Sequence, residues 1–217
     1  MDWAALWQYA PLLLDGLRLT IIVSIVGAVL ALSFGGLLVA SASSGWRPLA
    51  IAVRLYTELI LGVPFLVLLY VIYFVLPQLG FRLSELPTGL LTITLYYGPY
   101  MAEIIRGAVM AVPQSQIEAA RTIGMSGLQI AYRVVVPQAL GLMIPPLTGI
   151  CIGLAKDTAI LSVISVHELA YATKQVVSRT YAPFEVWTMV ALLYWILLTS
   201  FEVGMRSFER RATRYRR

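Results

Sequence analysis

The sequence predicts an all-α integral membrane protein with five transmembrane helices, the N-terminus outside and the C-terminus in the cytoplasm. Three observations carry this. The 217 residues are 59% hydrophobic and only 12% charged, against about 25% charged in soluble domains, and the mean hydropathy is +0.82. Five apolar segments each approach the roughly 20 helical residues that a bilayer core requires. The basic residues are segregated, with six of the sixteen Lys and Arg in the last twelve positions, RSFERRATRYRR. A soluble globule is excluded because it needs more charge to cover its surface. Disorder is excluded by the apolar content. A net charge of +5 concentrated in a tail marks a cytoplasmic membrane flank rather than a nucleic-acid partner. The single cysteine, Cys151, excludes an internal disulfide and a Cys-based zinc site, and reads as a small core residue.

The first predicted span is 17–39, with only Arg18 near its start. The second is 51–76, interrupted by Arg54, Glu58, Gly62 and Pro64. The third is 86–110, with Glu103 and Arg106 near its end, and the fourth is 134–155, free of charge but containing Pro145 and Pro146. The fifth is 184–205. The basic tail fixes the C-terminus inside. An odd number of spans then puts the N-terminus outside, in keeping with its lack of Lys and Arg and with its anchors Trp3, Trp7 and Tyr9. Eleven basic residues fall inside and three, Arg82, Lys174 and Arg179, outside. No basic region precedes the first span, so no cleaved signal peptide is expected. The whole chain, 1–217, reads as one transmembrane domain.

Two longer connections, 111–133 and 156–183, are expected to carry function. In the first, Pro113 fits a first helical turn, and Ser115 and Glu118 have capping-box spacing. A short helix over 115–123 stops at Gly124. Ser126 and Gln129 form a second capping-box pair that opens another helix. The connection is thus two short helices joined at a glycine turn. Ala119 and Ala120 leave a smooth patch for a partner, and Glu118 and Arg121 pair with each other or with that partner.

Polar groups within spans mark pathways, because an unpaired charge in lipid costs at least about 2.5–3.5 kcal/mol. Glu58 lies four residues after Arg54 and Glu103 three before Arg106, so each is either in a local ion pair or on a pathway. The break at Gly62 and Pro64 either lines a cavity or kinks against a neighbour. Tyr97 and Tyr100 flank an irregular point at Gly98-Pro99. Lys156, Asp157 and Thr158 stand at the hinge of the apolar run 158–170, which is too short to span and reads as a re-entrant or outer-gate piece. His167 reads as structural. With no His cluster, nucleophile elbow or paired catalytic carboxylates, no catalytic residue and no metal site are expected.

The text Glu118-Ala119-Ala120, then Gly124, then Val134-x-Val136-Pro137 resembles the EAA signature loop of bacterial ATP-binding-cassette importer permeases. GLRLT (16–20), YTELILGVPFLVLLY (56–70), YMAEIIRGAVMAVPQSQIEAARTIGMS (100–126), VVPQALGLMIPPL (135–147) and LAKDTAILSVISVHEL (154–169) are similar to the polar amino acid (histidine/glutamine/arginine-type) permease family. Two departures stand out. Leu61-Gly62-Val63-Pro64 replaces the common Arg-Gly-Thr-Pro, and Ala159 stands where serine is usual.

The resemblance implies a non-catalytic permease subunit of the bacterial cytoplasmic (inner) membrane. ATP and Mg would be bound by separate ABC ATPase subunits, in keeping with the lack of a phosphate loop here. Glu118, Ala119, Ala120 and Gly124 would dock into a groove of the ATPase, with Arg121 at its rim. A second permease subunit, identical or related, would complete the pathway. An extracytoplasmic solute-binding protein would deliver a polar amino acid or related compound, moved by alternating access. The alternatives are an ABC permease for another small solute, or an ATPase-independent channel or carrier, which leaves the inner loop unexplained.

Overall fold

The computed structural model describes residues 7–212. The Trp3 anchor and the last basic residues, from 213 onward, lie outside the described residues. Nine α-helices follow in order: α1 (Ala10–Ala42), α2 (Arg47–Leu61), α3 (Phe65–Val75), α4 (Glu85–Met110), α5 (Gln114–Thr122), α6 (Gly127–Ile130), α7 (Val136–Asp157), α8 (Leu169–Thr180) and α9 (Pro183–Ala212). Among the described residues there is no strand.

α1 contains 33 residues, about 50 Å of helix, which exceeds a bilayer core of about 30 Å. Its buried hydroxyls follow the rule that backbone and side-chain donors in lipid must be met internally. Thr20 donates to the Gly16 carbonyl at 3.1 Å and Ser24 to that of Thr20 at 2.7 Å. α1 packs along α4 through residues without side chains. A Cβ at Gly35 would lie 2.7 Å from the Gly98 carbonyl oxygen, and one at Gly98 would lie 2.4 Å from the Phe34 ring. A core of Val23, Phe65, Leu69, Ile93, Tyr97 and Leu154 joins α1, α3, α4 and α7. A second core, including Leu13, Leu169, Val176 and Val186, joins α1 to α8 and α9.

Residues 7–42, 127–164 and 183–207 are long and apolar enough to cross a membrane, and the pair α2–α3 adds a fourth crossing if counted as one. The predicted span 51–76 is therefore not one helix. Gly62 and Pro64 break it, and the path bends by 111° between its halves. α4 has 26 residues but is less apolar, because its buried Thr88 and Thr92 face protein rather than lipid. Pro99 lies within α4 and cannot bond the Leu95 carbonyl one turn earlier. The Tyr56 hydroxyl donates to that carbonyl at 2.6 Å.

The predicted connection 156–183 is not a loop. A buried 3₁₀ turn, Thr158–Ile164, leads into α8. The connection 111–133 also ends early, since α6 runs through a π turn, Ala131–Val135, directly into α7. α7 continues through Pro145 and Pro146.

Candidate functional site

Three loci hold the predicted functional residues. The first is the elbow of α5 and α6. α5 ends in a Schellman arrangement: Gly124 N–H donates to the Arg121 carbonyl at 2.9 Å and Met125 N–H to that of Ala120 at 3.1 Å. Gly124 has φ +80°, the left-handed conformation that glycine adopts without penalty. The Ser126–Gln129 capping box is formed. The Ser115–Glu118 box is not: α5 begins at Gln114 after Pro113, with no side-chain cap. The two pairs have the same sequence spacing, but Pro113 already sets the entry and shifts the N-cap away from Ser115. Glu118, Ala119 and Arg121 are exposed, and Glu118 and Arg121 do not pair with each other. Ala120 is buried, so the predicted two-alanine patch reduces to Ala119. Ile123 and Leu128 flank it with 78% and 70% of their surface exposed. Gln138 fastens the elbow to α7 by donating to Gln116 at 2.6 Å.

The second locus lies where α4 meets the end of α7. The Tyr97 hydroxyl donates to Asp157 at 2.8 Å. Tyr96, Tyr97 and Tyr100 cluster on Phe65, just past the Gly62–Pro64 break. Tyr97 therefore brings Tyr100 and Asp157 into one cluster, although the tyrosines and Asp157 are far apart in sequence. Thr158 is fully buried and donates to the Ala155 carbonyl at 2.8 Å. Lys156, the residue before Asp157, is exposed.

The third locus is a cavity of about 610 Å³ between the C-terminal ends of α1 and α4 and the length of α2. Two ion pairs line it. Arg54 donates to Glu58 at 2.8 Å, and Arg106 pairs with Glu103. Both are exposed pairs one helical turn apart, a kind whose attraction solvent largely screens. They bring opposite charges to one hollow, and Thr57 and Ser43 add hydroxyls.

Two polar residues were not singled out from sequence. Tyr56 is one. The other is Glu168, completely buried at the junction of α1, α8 and α9. Burial raises its pKa above the ordinary carboxylate value. Hydrogen bonds from the Ala170 and Tyr171 amides and the Tyr194 and Thr20 hydroxyls pull it back. One signal was available. Glu58, Glu103 and Glu202 each have an arginine three or four residues away, whereas Glu168 has no basic residue at those spacings. His167, its neighbour, is exposed and stacks on Tyr171 at 4.4 Å.

A long helical scaffold with helices apolar enough to cross a bilayer marks a membrane-spanning protein. Residues 34–214 match the family described as binding-protein-dependent transport system inner membrane component, and the chain belongs to that family. It is 33% identical over 213 residues to the glutamine transport system permease protein GlnP of Escherichia coli strain K12, covering 97% of each chain. It is 32% identical to the L-cystine transport system permease protein TcyB of Bacillus subtilis strain 168, covering 99% of this chain and 93% of that one. Among solved structures, an amino acid ABC transporter crystallised with histidines superposes with a TM-score of 0.91 at 31% identity, covering 97% of this chain and 99% of that one. The inward-facing MetNI methionine transporter shares the fold, with a TM-score of 0.76 at 22% identity over 98% of this chain and 100% of that one.

The chain is thus an inner-membrane permease subunit of an ATP-driven importer. It is not itself catalytic, and ATP hydrolysis belongs to a separate subunit. This sets aside the ATPase-independent channel.

Proposed function

We propose that the solute is a polar amino acid and that it passes between Tyr97, Tyr100 and Asp157 on the way to the cavity lined by Glu58 and Glu103. The Tyr97–Asp157 contact carries the reading. It presents a carboxylate in an aromatic setting within an apolar span, which suits the ammonium group of an amino acid. Relatives named for glutamine and L-cystine transport support the same class. Gly62 and Pro64 supply the break beside this cluster, with Lys156 and Thr158 flanking Asp157.

The proposed topology has five spans, with α2–α3 as one broken crossing and α4 as a crossing shielded by protein. The N-terminus is outside and the elbow is cytoplasmic. Glu118, Ala119, Arg121 and Gly124, with Ile123 and Leu128, then face an ABC ATPase that binds ATP and Mg, while Ala120 supports the elbow from within. A second permease subunit covers the open side of the pathway, and an extracytoplasmic binding protein delivers the solute.

The test is uptake into liposomes holding the chain, its ATPase subunits and its binding protein. ATP-dependent accumulation of labelled glutamine or cystine, abolished by Asp157→Asn, is expected. Accumulation of a sugar alone, or full uptake by Asp157→Asn, rejects the reading.

A further inference from the structure

We propose that Glu168 is a positioning residue for the pathway: it pins the start of α8 to α1 and α9 and thereby holds Asp157 against Tyr97. The inference rests on the pathway reading above.

Glu168 does more than cap a helix. A cap needs one acceptor, which a short side chain supplies. Here both carboxylate oxygens are engaged. Oε1 accepts the Tyr171 amide at 2.8 Å and Oε2 accepts the Ala170 amide at 2.9 Å. Oε2 also accepts the Tyr194 hydroxyl of α9 at 2.9 Å, and it stands 3.4 Å from the Thr20 hydroxyl of α1, whose single hydrogen it shares with the nearer Gly16 carbonyl. Thr20 in turn accepts the Leu169 amide at 3.1 Å. The close approach depends on Gly16, where a Cβ would lie 3.0 Å from the Leu169 Cα. One side chain therefore joins three elements, in a site with no exposure to solvent.

The segment from Glu168 back to Asp157 has little slack. Leu161 and Ile164 are buried, and Leu161 sits over Gly89 of α4. Lys174 of α8 donates to Ser162 at 2.9 Å. Val166 N–H bonds the Leu161 carbonyl, and Glu168 N–H bonds that of Val166 at 2.8 Å. Ser165 is held at φ +65°, a conformation that persists only where its surroundings enforce it. Releasing Glu168 releases this turn, and Asp157 stands at its other end.

Glutamine at 168 keeps the size but offers one acceptor and turns an N–H toward a donor. In the assembled transporter, Glu168→Gln is expected to raise the KM for uptake about tenfold, with the kcat of ATP hydrolysis little changed. Glu168→Asp keeps two acceptors but is too short for Tyr194, so it should fall between. In a Tyr97→Phe background, Glu168→Gln should add almost nothing, because the contact through which it acts is gone. An undiminished effect in that background, or a lowered unfolding temperature with KM unchanged, overturns the proposal.

If Glu168→Gln does not assemble, Tyr194→Phe removes one donor and is read in the same two backgrounds. If the unmodified transporter accumulates no amino acid, the pathway reading has failed by itself, and Cys151 decides this inference. That cysteine packs on the Tyr97 core. Its maleimide labelling, well below the unfolding temperature, should be several-fold faster in Glu168→Gln, and equal rates overturn the proposal.

Discussion

Tyr56 shows how one hydroxyl meets a cost created elsewhere. Pro99 leaves the Leu95 carbonyl without its helical partner, and water is scarce at that depth. Tyr56→Phe removes the hydroxyl that bonds it, and should cost about 1–3 kcal/mol, seen as a lower unfolding midpoint in detergent. Arg54→Ala, which breaks an exposed pair that solvent screens, should leave the midpoint almost unchanged in the same assay. At Gly124 the left-handed backbone makes Gly124→Ala unfavourable by about 1–2 kcal/mol. Glu118→Lys, on an exposed position, should instead leave stability unchanged and uncouple ATP hydrolysis from uptake; normal uptake would remove Glu118 from the docking surface. The contacts legible in the sequence were those within one turn: Arg54 with Glu58, Glu103 with Arg106, Ser126 with Gln129. Tyr97 with Asp157, and Glu168 with Tyr194 and Thr20, join residues from different helices, and no spacing rule reaches across that distance.

Among the helices, the seam between α1 and α4 has the least tolerance. Backbone approaches backbone at Gly35 and Gly98, so an added methyl group meets main-chain atoms that cannot swing aside. Gly35→Ala should destabilise by about 1–3 kcal/mol and lower the yield of folded protein. Gly36→Ala, next to it but facing open space, is the control, and equal behaviour of the two would contradict the close seam. Helix identities were legible because apolar runs are long. Boundaries and shapes were less so, since neighbours decide them. Gly62 and Pro64 announced a break but not its angle, and the polar composition of 169–180 concealed a helix whose hydroxyls are met by its own carbonyls, as Thr173 donates to the Leu169 carbonyl at 2.6 Å.

For the molecule as a whole, orientation is the property open to direct measurement. In a Cys151→Ser background, a membrane-impermeant thiol reagent added outside the cell should label Tyr181→Cys and spare Ser44→Cys; the reverse pattern would invert the proposed topology. The way α1 is gripped also bears on how the protein is made. α1 is synthesised before the eight helices described after it, yet it packs most closely on α4 and α8, the latter more than a hundred residues behind it in translation. Gly16 and Gly35 meet their partners on α8 and α4 only once those segments have been made, so a helix made before them must wait for its final place.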